Sequence, residues 1–370
     1  MANNQAKKSI LIFSTAYLPL IGGAEVTVKE ITQRLPDWQF DMITAKIQSG
    51  LAKFERIGNI NIYRVGLGWR LDKYFFPWLA YFKARKLHQG KNYQVVQAIM
   101  AFYAGLAALF FKWKYPQVKY LLTMQSGDSD FFIWLRTWFW YPLYKKIYTK
   151  ADYIQAISQF LVKRARRYGY RGDIEIVPNG VDLDKFQTSH KSQIINHKVI
   201  ITVSRLVKKN GLDDLIKAIA QLDVKLLILG KGPDENKLKK LVKDLKIEDK
   251  VIFMGHVQYN DLPKYYSMAN VFVRPSLSEG LGNVFLEAMA CGVPVIGTPV
   301  GGIPDFLKDR ETGLFCQVRN PQNIAERVKE LLSNDGLRRI IISNGQKLVK
   351  EKYSWSKISQ QMEQIFQKLS

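Results

Sequence analysis

Pro275-Ser276-Leu277-Ser278-Glu279-Gly280-Leu281-Gly282-Asn283-Val284-Phe285-Leu286-Glu287-Ala288-Met289-Ala290-Cys291-Gly292-Val293-Pro294-Val295-Ile296 decides how this chain is read. The apolar run 271–274 ahead of it predicts a short strand, and a loop with two glycines then leads into a helix over 283–290. Unpaired N–H groups at a helix start form an anion site, and glycines let a phosphate come close. Glu279 precedes that helix start and Glu287 lies about two turns inside it. A carboxylate aimed at a phosphate would be repelled, so the two acids suit sugar hydroxyls on either side of a diphosphate. Taken alone, the segment also fits an ordinary helix with an acid favoured near its N-terminus by the dipole.

Outward from this stretch, the pattern is strand, loop, helix, repeated. In the second half, strands fit 199–203, 225–229, 251–254, 271–274 and 293–297, with helices at 212–220, from 235, and at 261–267, 283–290 and 323–333. In the first half, strands fit 9–15, 40–44, 60–65, 95–100, 120–124 and 153–157, with a helix over 24–35. Short apolar runs without alternation are what parallel strands buried on both faces require. Two such series predict two doubly wound α/β domains, divided within the polar stretch 181–197. The expected division is 1–185, 186–350 and a terminal helix, 351–370, that crosses back to the first domain. Ligands of such sheets bind outside the carboxyl ends of the strands, which places the expected site in a cleft between the two domains.

Two further segments carry chemistry. Ser204-Arg205-Leu206-Val207-Lys208-Lys209-Asn210-Gly211 follows the first strand of the second series, where Arg205 can neutralise a diphosphate leaving group; a solvated basic turn is the plain alternative. Gly22-Gly23-Ala24-Glu25 places a glycine pair at a helix start, although no G-x-G-x-x-G fingerprint occurs.

Composition bounds the reading. The chain has 370 residues, 55 Lys and Arg against 32 Asp and Glu, and a net charge of +23, a field that attracts polyanions such as phosphorylated molecules, anionic lipid or nucleic acid. No recognised nucleic-acid motif accompanies the charge, so no specific nucleic-acid partner is expected. Two cysteines and four scattered histidines, His88, His190, His197 and His256, predict neither a disulfide framework nor a metal site. The polar start predicts no leader. The uncharged run 95–111 reads as a buried strand and the start of a helix rather than a membrane span, being too short to cross. A cytoplasmic protein is expected. Aromatic residues alternate with Lys and Arg over 69–86 and 131–150, and 163–167 is basic, a composition that suits peripheral contact with anionic lipid as well as helix packing with solvated faces.

Taken together, these segments resemble the family-four retaining glycosyltransferases, with their GT-B architecture of two facing Rossmann-like domains. The resemblance covers essentially the whole chain. It is carried by Gly22-Gly23-Ala24-Glu25, by Ile176-Val177-Pro178-Asn179-Gly180-Val181-Asp182, by Ser204-Arg205-Leu206-Val207, by Phe253-Met254-Gly255-His256-Val257, by the Glu279-x7-Glu287 segment and by Val300-Gly301-Gly302-Ile303-Pro304-Asp305.

The resemblance implies roles. Glu287 would hold the donor ribose and Glu279 would sit near the transferred sugar. The backbone of Gly280, Leu281, Gly282, Asn283 and Val284 would run along the sugar and diphosphate. Arg205 would meet the diphosphate, Gly22 and Gly23 would close over it, and Gly255, His256 and Val257 would receive the base. The donor implied is a UDP- or GDP-sugar and the acceptor a glycan or lipid-linked glycan, with no cofactor and no metal. Two positions depart from the family pattern. Asn210 stands where a lysine is usual, and Lys209 is taken to supply the charge. Gln125 stands where the acceptor side often has a histidine, with Asp128 nearby; glutamine hydrogen-bonds but does not titrate. Two other readings remain: another GT-B activity such as a nucleotide-sugar epimerase, and a non-catalytic basic nucleic-acid- or membrane-binding protein.

Overall fold

The structure, a computed structural model, describes residues 8–20, 22–186 and 198–370. His190, His197 and most of the polar stretch 181–197 lie outside the described residues. The chain forms two compact units: Met1–Asn179 together with Trp355–Ser370, and Gly180–Ser354. The divisions of these units fall at 179–180 and 354–355. At the margin of the second unit the Val181 N–H donates to the Tyr353 carbonyl at 2.7 Å, tying the segment that enters the unit to the one that leaves it.

The first unit is built on an eight-stranded sheet. Its strands are β1 (Lys8–Ser14), β2 (Trp38–Ala45), β3 (Phe54–Ile57), β4 (Ile60–Val65), β5 (Val95–Ile99), β6 (Lys119–Met124), β7 (Tyr153–Ala156) and β8 (Asp173–Ile176), in the order β3-β4-β2-β1-β5-β6-β7-β8. All pairs are parallel except β3 with β4. The central strands are apolar because helices cover both faces: Ile10, Leu11, Phe13, Val96 and Leu121 are fully buried. β3 has no apolar run and one exposed face, as an edge strand does. The run 95–111 resolves into β5 and the start of the helix Tyr103–Lys114. Among the described residues no helix is long and apolar enough to cross a membrane.

The terminal helix, Trp355–Leu369, belongs to this first unit. Its apolar stripe, Ile358, Met362, Ile365 and Phe366, is buried in the same core as β1 and β2. Phe366 lies 5.6 Å from the Trp38 ring and 6.0 Å from Phe40. The indole N–H of Trp38 donates to Glu363 at 3.0 Å.

The second unit has six parallel strands: β9 (Val199–Val203), β10 (Lys225–Leu229), β11 (Val251–Gly255), β12 (Val271–Arg274), β13 (Val295–Gly297) and β14 (Leu314–Phe315). Their order is β11-β10-β9-β12-β13-β14. The chain winds outward from β9 in one direction, then returns to place β12 on its other side and winds away. β9 and β12 thus flank a switch point, where loops leaving the carboxyl ends diverge and leave a crevice.

Truncating Phe366 to alanine should remove about 3–5 kcal/mol from the first unit, the usual loss for a buried phenyl ring. Urea unfolding followed by Trp fluorescence would show an early transition; a midpoint equal to that of the unaltered chain would deny the helix its structural role.

Candidate functional site

The two loops at the switch point of the second unit touch at a glycine. Gly211 has φ +67° and a Cβ placed on it would lie 2.0 Å from the Pro275 carbonyl oxygen, so no side chain fits there. The contact is fastened by the Leu277 N–H, which donates to the Lys209 carbonyl at 2.7 Å. Arg205, Asn210, Glu279 and the start of the helix Asn283–Ala290 are therefore all set by how β9 and β12 end.

The side chain that joins these loops is Arg274, the last residue of β12, only 9% exposed. Its Nη2 donates to Asn210 Oδ1 at 2.8 Å and lies 2.7 Å from Glu279 Oε2. Asn210 is 1% exposed, and its amide donates in turn to the Arg205 carbonyl at 2.5 Å. The other Glu279 oxygen accepts the Gly280 N–H at 3.0 Å, and the Glu279 carbonyl accepts the Gly302 N–H at 3.2 Å. Glu279 is thus held at its backbone and at both carboxylate oxygens. Asn210 is a buried bracket inside the loop, whereas Lys208, Lys209 and the side chain of Arg205 are exposed.

Beyond Glu279 the chain turns at Gly282, whose φ of +101° is open to glycine and starts the helix Asn283–Ala290 without a side-chain cap. Gly280 and Leu281 are buried; Asn283 and Val284 are half-buried at the helix start. Glu287 sits about one turn into this helix and is 6% exposed. The Tyr266 hydroxyl is 3.2 Å from its Oε2 and also 3.2 Å from the Val284 carbonyl. Burial pushes the Glu287 carboxyl up to about 7, while the Tyr266 hydroxyl and the Arg274 charge draw it back down. A buried carboxylate with one hydroxyl partner keeps acceptor capacity for a pair of ligand hydroxyls.

Other expected residues belong to other elements. Gly255 ends β11, at the edge of this sheet, and His256 and Val257 follow it; the Gly255 carbonyl accepts the Gly230 N–H at 2.7 Å, and His256 is exposed. Gly22, Gly23, Gln125 and Asp128 belong to the first unit. There, Gly22 precedes the helix Gly23–Gln33, and a Cβ on it would come within 2.6 Å of a Glu25 carboxylate oxygen. Gln125 lines a small cavity with Gln97, Thr123 and Gln155, whose walls are mostly apolar side chains such as Ile12, Ile31 and Phe366. Asp128 accepts from the Ser126 hydroxyl at 3.0 Å. Among the described residues no group of His, Cys, Asp and Glu is arranged to hold a metal ion.

In the basic stretch 163–167, Lys163, Arg166 and Arg167 are exposed, but Arg164 is not. Arg164 does not face solvent: it is 2% exposed, its guanidinium donates to the Ser126 carbonyl at 2.9 Å and to the Asp128 carbonyl, and it pairs with Asp130 at 2.8 Å. Arg167 also pairs with Asp130. A buried guanidinium with carbonyl and carboxylate acceptors shapes the loop around Asp128 rather than a membrane face.

Two parallel α/β units of this construction form the GT-B fold of glycosyltransferases. The structure matches sucrose-phosphate synthase from Thermosynechococcus elongatus with a TM-score of 0.84 at 24% identity, over 98% of this chain and 99% of that one. It matches the Anabaena protein HepE, solved in complex with UDP-glucose, with a TM-score of 0.81 at 18% identity, over 97% and 99%. Two family profiles adjoin along the sequence: Glycosyltransferase Family 4 over residues 21–185, and Glycosyl transferases group 1 over residues 184–348. The chain belongs to the group 1 glycosyltransferases of family four. It is 27% identical to an uncharacterized glycosyltransferase of Methanocaldococcus jannaschii over 98% of this chain and 99% of that one. It is 32% identical to a GDP-mannose-dependent monoacylated alpha-(1-6)-phosphatidylinositol monomannoside mannosyltransferase of Corynebacterium glutamicum, over 60% of this chain and 64% of that one.

Sequence reasoning passed over Arg274 and Tyr266. Arg274 had a signal: a charged residue closing an apolar strand, directly before the glycine loop. Tyr266 had none, since its hydroxyl meets Glu287 only in three dimensions.

The raised Glu287 pKa has a consequence for stability. Between about 4.5 and about 7 the native state keeps a proton that the unfolded chain has released, so stability falls as pH rises through this window. The full loss, on the order of 3 kcal/mol, is reached above it. Glu287→Gln should therefore raise the melting temperature at pH 8 and leave it unchanged near pH 4.5. A melting temperature equally altered at both pH values would contradict the assignment.

Proposed function

We propose that this glycosyltransferase moves a hexosyl unit from a UDP- or GDP-sugar to a lipid-linked or polysaccharide acceptor, with retention of the anomeric configuration. The observation that carries the reading is the grouping of Glu279, Glu287 and Arg274 with the Arg205 loop at the switch point of one sheet. Two carboxylates beside an uncapped helix start suit a ligand with hydroxyl groups at both ends and anionic charge between them. The relative from Corynebacterium is GDP-mannose-dependent, and the Anabaena protein was solved with UDP-glucose, so both donor bases are represented among similar proteins.

In this reading Glu287 accepts hydrogen bonds from the ribose and Glu279 from the hexosyl hydroxyls. As the glycosidic C–O bond breaks, negative charge develops on the nucleoside diphosphate while the sugar becomes oxocarbenium-like. Arg205, Lys209 and the amides at the start of the helix Asn283–Ala290 stabilise the departing diphosphate. The acceptor hydroxyl attacks the anomeric carbon from the face on which the phosphate leaves. Its proton passes to the departing phosphate oxygen.

Incubation with UDP-glucose and GDP-mannose, with and without a prenyl-diphosphate-linked glycan, tests the proposal. Turnover of one donor should depend on acceptor, and the product's anomeric coupling should match the donor's. Arg205→Ala and Glu287→Ala should each lower turnover by about 100-fold or more, the usual cost of removing a group that meets developing charge or holds the reactant in place. Variants as fast as the unaltered chain would refute the assignment.

The surface of the first unit supports peripheral membrane attachment. The helix Asp72–Lys91 exposes Phe75, Trp78 and Phe82 at 54–61%, interleaved with Lys73, Lys83, Arg85 and Lys86. Phe131, Trp138 and Phe139 are 63–72% exposed in the segment 130–140. Exposed aromatics beside cations suit the headgroup region of an anionic leaflet, here the inner face of the cell membrane. Sedimentation with vesicles containing 30% phosphatidylglycerol at low salt should retain the protein and release it at about 0.5 M salt, as screening shortens the Debye length. Equal binding to neutral vesicles would count against the charge component.

A further inference from the structure

We propose that Arg274 is a positioning residue of the transfer reaction, a bracket that fixes the Glu279 carboxylate by holding it and Asn210 at once. The proposal rests on the donor-site reading above and adds a residue and a device to it.

Glu279 lies on a glycine-flanked loop, where a lone carboxylate would sample several rotamers and draw toward water. The guanidinium Nη2 meets both loops: it donates to Asn210 Oδ1 on the loop after β9 and forms an ion pair with Glu279 Oε2 on the loop after β12. Asn210 is the fixed partner. Its side chain is buried, its oxygen accepts a hydrogen bond from Arg274 Nη2 at 2.8 Å, and its nitrogen donates to the Arg205 carbonyl. Asparagine suits this position because it accepts on one side and donates on the other; a lysine would offer Arg274 a second positive charge and no acceptor. The departure at 210 and the arginine at 274 are thus two halves of one arrangement. Arg205 and the exposed lysines are left to face the diphosphate, while Arg274 is spent on orienting the acid that meets the sugar.

The bracket makes a distinction that a purely structural arginine would not. Glu279 serves the transferred sugar, so loosening it should slow transfer without weakening the hold on the nucleotide. Arg274→Lys and Arg274→Met, each checked for a cooperative melt within a few degrees of the unaltered chain, separate the cases. With UDP-glucose or GDP-mannose as donor, whichever the unaltered chain turns over, Arg274→Met should lower kcat by about 30-fold or more. The Kd for the matching free diphosphate, UDP or GDP, measured well above the Glu287 titration range so that loss of the Arg274 charge leaves that carboxylate ionised, should stay within about threefold. Arg274→Lys keeps a positive charge beside Glu279 on a shorter side chain, and should recover part of the kcat loss.

A kcat unchanged in Arg274→Met would overturn the proposal while leaving the donor site standing. Equal losses in kcat and in diphosphate affinity would also overturn it, by making Arg274 a phosphate ligand or a general scaffold. Loss of the cooperative melt in both variants would assign Arg274 to folding and likewise overturn it. No turnover of any donor by the unaltered chain would remove the reading on which it rests.

Discussion

The Glu287 carboxylate is the constraint around which the second unit is arranged. Taking an acid out of water is costly, and a carboxyl pushed up to about 7 shows that its partners only partly offset that cost. A protein gains nothing in stability by keeping such a group. Its surroundings make sense as a ligand site whose hydrogen bonds are completed from outside. The Tyr266 hydroxyl and the nearby Arg274 charge keep ionisation within reach of neutral pH.

The rest of the site follows from sheet order. Because β9 and β12 are neighbours whose chains wind in opposite directions, their loops leave a crevice at the carboxyl edge. Close approach at Gly211 brings the arginine loop against the glycine loop, and the Arg274 bracket then couples them. Sequence, topology and charge placement agree at this one place. The same logic recurs more loosely in the first unit. There the buried Arg164 gathers the Ser126 and Asp128 carbonyls and shapes a loop that the sequence marks only by its small polar residues.

Much of this was legible in the residues. Parallel strands buried on both faces write apolar runs, so β1, β2, β4 to β7 and β9 to β13 could be read directly. β3 could not, because an edge strand needs no such run; the Gly58-Asn59 turn before β4 was its only signal. Glu279, Glu287 and Arg205 were legible because glycines and a helix start announce an anion site. Asn210 was seen as a departure, but its meaning required Arg274, which lies 64 positions away along the chain. Within the basic run 163–167, Arg164 could not be told from its exposed neighbours: composition records charge, and only packing records that Arg164 turns inward.

The most direct test is a structure of the protein crystallised with UDP or GDP. The account predicts ribose hydroxyls on the Glu287 carboxylate and the diphosphate between the Arg205 loop and the first turn of the helix Asn283–Ala290. A nucleotide bound elsewhere, with Glu287 still capped only by Tyr266, would contradict it.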